Sequence, residues 1–353
     1  MTRFRTHACH DTAELMRQAD AIAKAWFIRR KDVAMSAPDH LQLTMYDPAA
    51  ARSRERATAS LSDAGRTIKD FVRALLQTPK VRRLAAPPQV DEVLRLKVSH
   101  PNFSQAVDEL AKAVALANLK PMTSPRFAPL LLVGPPGIGK TDFARAVGRV
   151  FGVAVHMLQL GHATASFSLG GLDLQYSTGG PGWLATTVAL SHCADPIVLL
   201  DELDKAATDE RHDPRAALYS LWDESATAFI DDGLKFPLNM SGVRWIATCN
   251  DTSVMHPALI SRCTVVSVPP PSRDQAASIA RGIYADLLAN APWGRHFEPE
   301  LRPDVIEILA GQLPRDTKQR LVSALGQAAL HGMRYVTADQ LAKADRPPAI
   351  GFL

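Results

Sequence analysis

Eight consecutive residues, Gly134-Pro135-Pro136-Gly137-Ile138-Gly139-Lys140-Thr141, fit the pattern G-x-x-x-x-G-K-[ST]. Glycines at these spacings let the backbone curl until successive N–H groups point inward at a polyphosphate, and the positive end of a following helix completes the cradle. Lys140 would reach the β- and γ-phosphates as a mobile point charge, and the Thr141 hydroxyl would ligate Mg²⁺. A second cluster, Asp201-Glu202, closes the apolar run Pro196-Ile-Val-Leu-Leu. There Asp201 can hold Mg²⁺ while Glu202 orients and deprotonates an attacking water. Asn250 ends another apolar run, Trp245-Ile-Ala-Thr-Cys. An amide at a strand tip serves either as a turn former or as a sensor that holds the lytic water and feels the γ-phosphate. Arg262, in Leu259-Ile-Ser-Arg, has the placement of an arginine finger reaching a neighbouring subunit's γ-phosphate. Arg315, in Leu313-Pro-Arg, could touch the same phosphate from within the subunit. The chemistry these residue types describe is hydrolysis of a triphosphate at its γ-phosphate with Mg²⁺.

Such groups work only if several strand tips bring them together. Apolar runs over 130–133, 153–160, 197–200, 243–249 and 264–268 predict five buried strands. Helical periodicity falls between them, over about 140–151, 183–193 and 214–226. Alternating strands and helices imply a parallel sheet covered on both faces, with ligands bound at the carboxyl ends of its strands. The fold class expected is therefore α/β, a P-loop five-stranded parallel sheet followed by a small helical lid. Pro269-Pro-Pro271 closes the sheet layer, and three helices over 273–289, 303–313 and 316–331 follow. The boundaries expected are a helical accessory region at 1–100, a nucleotide-binding domain at 101–271, a lid at 272–336 and a frayed tail at 337–353.

The N-terminal region reads as helices over 11–31, 53–77 and 104–119, the first opened by the capping-box residues Asp11 and Glu14. The whole chain has 353 residues, 46% hydrophobic and 22% charged, with a net charge of +4. The Lys and Arg surplus lies in the first 128 residues and the Asp and Glu surplus in the remainder. A diffuse basic surplus is ordinarily a solvated helical surface, with a nucleic-acid partner as the less favoured alternative. No apolar run approaches a membrane span, and the start lacks a secretory signal's apolar core. Four dispersed cysteines with no C-x-x-C spacing point to a reducing compartment, so a cytoplasmic protein is expected.

Taken together, GPPGIGKT, PIVLLDELDK, IATCN, LISR and LPRD resemble an AAA+ ATPase, and their wording is most similar to the ATPase module of Lon proteases. The resemblance covers roughly residues 100–340. It extends to Asp213-Pro-Arg-Ala-Ala-Leu-Tyr-Ser-Leu-Trp-Asp, to Phe229-Ile-Asp-Asp, to Phe236-Pro-Leu-Asn-Met-Ser, and to the glycine landmarks at Leu169-Gly-Gly171 and Gly179-Gly-Pro-Gly182. It implies a homo-oligomeric ring, usually of six subunits, that couples ATP hydrolysis to pulling on a polypeptide. It also implies an aromatic pore residue gripping that protein substrate, which falls at Tyr176 here. Three departures stand beside it. The segment 171–181 is shorter than Lon's and lacks its charged stretch. Ser261 precedes Arg262 where an Asp is usual. The chain stops soon after the lid, so no peptidase activity is expected. A nucleic-acid-acting ATPase and a slow nucleotide switch remain as alternatives.

Overall fold

The computed structural model describes residues 41–58, 62–119, 123–160, 167–191, 193–206 and 215–344. The helix expected over 11–31 and the end of the expected tail lie outside these residues.

Five apolar runs become the strands of one sheet: β1 (Leu130–Val133), β2 (Val155–Gln159), β3 (Ile197–Asp201), β4 (Arg244–Cys249) and β5 (Thr264–Ser267). All pairings are parallel, in the order β2-β3-β4-β1-β5. Leu199 stands opposite Met157 on one side and Ile246 on the other, which fixes the register of the middle of the sheet. Because successive strand residues face opposite ways, the runs feed two cores. Leu130, Leu132, Ile197, Leu199, Ile246 and Val266 face one, and Leu131, Val198, Leu200 and Ala247 face the other. Burial of each such leucine or isoleucine contributes roughly 1.5–3 kcal/mol. This is the α/β architecture the sequence predicts. The second strand is shorter than its expected 153–160, because Gly152 adopts a left-handed cap and Val153 N–H returns to Gly148 O at 3.0 Å.

The face that carries Leu131, Val198, Leu200 and Ala247 is covered partly from upstream. Helix α1 (Pro48–Ala57) starts at Asp47, whose carboxylate accepts from Ala49 N–H, and α2 (Asp63–Leu76) starts at Ser62, whose hydroxyl accepts from Gly65 N–H at 3.1 Å. These two caps split the single helix expected over 53–77. Gln42–Thr44 and Val81–Arg83 pair as an antiparallel ladder beside them. Leu41, Met45, Phe71, Val72 and Leu75 are buried in the same core as Leu200 and Ala247 of the sheet. Helices α3 (Ser104–Ala117) and α4 (Lys140–Phe151) cover the other face through Val107, Leu110, Phe143 and Val147.

Two expected helices are not regular. Among the described residues of 183–193 the helix runs as a π-helix over Ala185–Ala189, where the buried Arg82 guanidinium takes the carbonyls of Val188 (3.0 Å) and Ala189 (2.5 Å). The described part of 214–226 breaks at Asp223, whose carboxylate accepts from Glu224 N–H, into the short helix Leu218–Leu221 and a 3₁₀ turn, Glu224–Ala228.

After β5, α5 (Arg273–Asn290) opens with a capping box between Ser272 and Gln275. It packs with α6 (Pro303–Leu309), α7 (Pro314–Leu330) and α8 (Ala338–Ala344) around Tyr284, Val305, Leu309, Leu321, Leu325 and Leu341. Helix α8 occupies sequence expected to be frayed tail. Buried Leu341 anchors it.

Candidate functional site

The loop between β1 and α4 is shaped by glycines in two ways. A Cβ on Gly134 would lie 2.3 Å from the Val268 carbonyl oxygen, so the loop can pass the end of β5 only without a side chain. Gly137 (φ +83°) and Gly139 (φ +100°) occupy backbone regions that side-chain-bearing residues avoid. Gly134 N–H donates to Cys249 O at 3.2 Å, which ties the loop to the tip of β4. Residues 136–141, that is Pro136, Gly137, Ile138, Gly139, Lys140 and Thr141, line one cavity of about 670 Å³.

Lys140 is buried at the start of α4. Its ammonium donates to Gly134 O (2.5 Å), Pro135 O (3.0 Å) and Asn250 Oδ1 (3.1 Å). The loop lysine and the amide at the tip of β4, far apart in sequence, therefore touch. Burial pulls the Lys140 pKa below the usual lysine value, against nearby Cys249, Asp204, Asp201 and Glu202, which act to raise it. Thr141 Oγ1 lies 3.3 Å from Asp201 Oδ2 and 3.5 Å from Oδ1. This places a hydroxyl against a carboxylate at the tip of β3.

Glu202, one residue beyond, has a left-handed backbone (φ +58°, ψ +50°). For a residue with a side chain this costs roughly 1–2 kcal/mol. Its N–H donates to Thr248 Oγ1 at 3.1 Å, and its carboxylate Oε1 accepts from Lys205 Nζ at 2.5 Å. Asp201, Glu202 and Asn250 all line the cavity, and so does Arg315. Arg315 N–H donates to Gly137 O at 3.2 Å, so the first turn of α7 rests on the loop itself. Ile279 and Ile283 of α5 and Phe103 wall the remaining end. His100 Nε2 lies 3.1 Å from Asp142 Oδ2 at its rim, and this hydrogen bond leads the causes that hold the Asp142 carboxyl below its ordinary value.

Gly134 and Pro135 shape the loop without lining the cavity, and two further sequence-predicted residues, Arg262 and Tyr176, lie elsewhere. Arg262 precedes β5, whereas the loop follows β1, and these neighbouring strands are parallel, so the two lie at opposite strand ends of the sheet. Arg262 Nη1 donates to Ala258 O at 2.6 Å, Nη2 lies 3.5 Å from Asp223 Oδ2, and the guanidinium sits 5.6 Å from the Tyr219 ring centre. Asp223 thus supplies, from another segment, the acid that Ser261 does not. Tyr176, 54% exposed, lies in a loop closed by reciprocal 2.9 Å bonds between Leu172 and Gly180. Buried Asp231 pins the base of that loop, accepting from Gly182 N–H (2.8 Å), Gly233 N–H (2.9 Å) and Leu234 N–H (3.1 Å).

Sequence reasoning misses Thr248 and Asp204. Thr248 Oγ1 donates to Asp201 Oδ1 at 2.5 Å, and Asp204 Oδ2 accepts from Asn250 N–H at 3.1 Å. A threonine within an apolar strand reads as a β-former, and only its position two residues before a strand-tip amide hints at more.

Residues 130–270 match the profile of the ATPase family associated with various cellular activities (AAA). The Lon protease of Chloroflexus aurantiacus is 29% identical over 244 residues, covering 69% of this chain and 29% of the relative. The Lon protease of Dictyoglomus thermophilum is 32% identical over 189 residues (53% and 24%), and the peroxisomal Lon protease homolog 2 of Danio rerio is 30% identical over 226 residues (63% and 25%). The chain thus spans less than a third of the length of these relatives. Among solved structures, the Thermotoga maritima RuvB Holliday junction branch migration motor aligns with a TM-score of 0.46 at 14% identity, over 68% of this chain and 67% of that one. Over residues 130–270 this protein is thus similar to the AAA family, and over a wider span to a part of these Lon proteases.

Proposed function

We propose that the chain binds ATP with Mg²⁺ in the 670 Å³ cavity and hydrolyses it, as one subunit of a homo-oligomeric ring that remodels protein. The observation that carries this reading is the convergence of Lys140, Asp201, Glu202 and Asn250, from one loop and two strand tips, on one cavity. Residues 101–271 would hold the nucleotide, and 272–336 would close over it through Arg315.

Magnesium fits the residues present. The Thr141 hydroxyl and the Asp201 carboxylate are hard oxygen donors facing one another, which suits an ion that takes few protein ligands and keeps waters and phosphates for the rest. Bound there, Mg²⁺ would supply neutralisation of β- and γ-phosphate charge. Lys140, now bonded to loop carbonyls and Asn250, would exchange those partners for phosphate oxygens, a trade of neutral acceptors for charged ones. Glu202 would take the proton of the attacking water, with its carboxylate first leaving Lys205. Asn250 would orient that water. Arg262 stands at the opposite end of the strands from its own cavity, so it would act on a neighbour's phosphate, and assembly and turnover would be coupled.

The exposure of Tyr176 on a braced loop supports the protein-remodelling role. In this reading the chain pulls on protein without cutting it and works in the cytoplasm. The three described cysteines are free, and no described helix is long and apolar enough to cross a membrane. The test is ATP turnover with no addition, with an unfolded protein and with DNA. Stimulation by unfolded protein alone supports the proposal. Stimulation by DNA, with a steep loss at rising salt, would replace it with a nucleic-acid motor.

A further inference from the structure

Thr248 lies at the junction of three parts of the cavity and contacts two of them directly. Strand alternation sends Ala247 and Cys249 to one face of the sheet, whereas Ile246 joins the core beneath α4. Thr248 therefore shares the α4 side, and its side chain is buried, with 1% exposure. Its hydroxyl has one proton. Asp201 Oδ1, at 2.5 Å, is a carboxylate oxygen with nothing to donate, so that proton points at Asp201. The hydroxyl oxygen is then free to accept, and it takes Glu202 N–H at 3.1 Å.

Both contacts constrain geometry rather than add charge. The bond to Oδ1 fixes the rotation of the Asp201 carboxylate and leaves Oδ2 as the oxygen nearer Thr141, at 3.3 Å. The bond from Glu202 N–H holds the peptide entering a left-handed residue, a conformation that decides where the Glu202 side chain departs. One hydroxyl thus sets the aim of both carboxylates, and Asn250 follows two residues later on the same chain.

We infer that Thr248 is a positioning residue for hydrolysis: through its hydroxyl it orients Asp201 and Glu202 together. The inference rests on the ATPase reading above. Thr248→Val preserves shape and β-propensity while removing both bonds, and Thr248→Ser restores the hydroxyl without the methyl. Steady-state turnover, the Kd of a fluorescent ATP analogue with Mg²⁺, and thermal melting are measured for both. Valine should lower kcat by about 10- to 100-fold, the scale of misplacing a catalytic group by a fraction of an ångström to an ångström. Nucleotide Kd should stay within about threefold, because Thr248 touches no cradle N–H and not Lys140. Serine should recover kcat to within about threefold of wild type. If the valine variant does not fold, Thr248→Ala against Thr248→Ser carries the same comparison. A valine variant at wild-type kcat would overturn the inference, and so would a serine variant as slow as valine, since packing of the methyl would then be the cause. In either case hydrolysis by the wild type leaves the ATPase reading standing, whereas a wild type that neither binds nor hydrolyses ATP overturns both.

Discussion

Arg262→Ala separates the two halves of the proposed composite site. The guanidinium is held by Ala258 O at 2.6 Å, by Asp223 at 3.5 Å and over the Tyr219 ring. That ion pair is half-exposed and loose, so its loss should cost under about 1 kcal/mol of stability. An arginine acting on transition-state charge, by contrast, accounts for about a thousandfold in rate or more, equivalent to ~4 kcal/mol. The two magnitudes are far enough apart to be told apart in one experiment. Phosphate release at saturating ATP should fall by about three orders of magnitude in the pure variant. Its melting temperature and its affinity for a fluorescent ATP analogue should barely move. Mixing Arg262→Ala with Glu202→Gln, each inactive alone, should regenerate activity, because some interfaces then join an intact Glu202 to an intact neighbouring Arg262. Random mixing at equal amounts makes about a quarter of head-to-tail interfaces complete. A pure Arg262→Ala protein with wild-type turnover, or mixtures that stay dead although the two variants co-assemble, would refute the placement of Arg262 in trans.

Glu202→Gln retains the backbone and its bond to Thr248 but cannot take a proton; turnover should fall by about 10²–10⁴-fold with nucleotide binding kept, as read by ATPase and binding assays side by side. Tyr176→Ala should abolish stimulation by unfolded protein and leave basal hydrolysis unchanged, a contrast that a stimulated-to-basal ratio reads directly. Burial pushes the Asp231 carboxyl up to about 7, against three N–H donors that act to hold it down. A carboxyl whose folded pKa is raised contributes stability that is full below its unfolded value and is lost as pH rises through about 7. Melts from pH 4 to 8 should therefore show wild type losing more stability across this window than Asp231→Asn, and parallel curves would remove Asp231 from the account.

The sheet was legible because its strands β1 and β3 are Val, Ile and Leu runs, which have few other places to go in a chain this size, and the remaining strands are short and largely apolar. The loop glycines and the polar residues at two strand tips, Asp201 with Glu202 and Asn250, were legible for a related reason: polar groups that end apolar runs have to face something. Thr248 and Asp204 were not, since their roles are created by neighbouring strands and leave no local pattern. The π-helix at Ala185–Ala189 was hidden in the same way, its carbonyls diverted by Arg82 from far upstream. The ladder between Gln42–Thr44 and Val81–Arg83 is three residues a side, too short for alternation to register.

Where the protein begins to fold is not where its recognisable motif begins. Arg54 Nη2 of α1 donates to Gly233 O at 2.8 Å, and Arg73 Nε of α2 donates to Glu55 Oε1 of α1 at 2.8 Å, so the two helices are joined to each other and, through α1, to the turn beneath the Tyr176 loop. Cutting the chain just ahead of β1 would strip Met45, Phe71 and Leu75 from the side of the sheet they cover and leave a greasy flank open to water. The smallest piece able to stand by itself must therefore start no later than Leu41, and any tug on the loop's tyrosine would be felt as far upstream as that first helix.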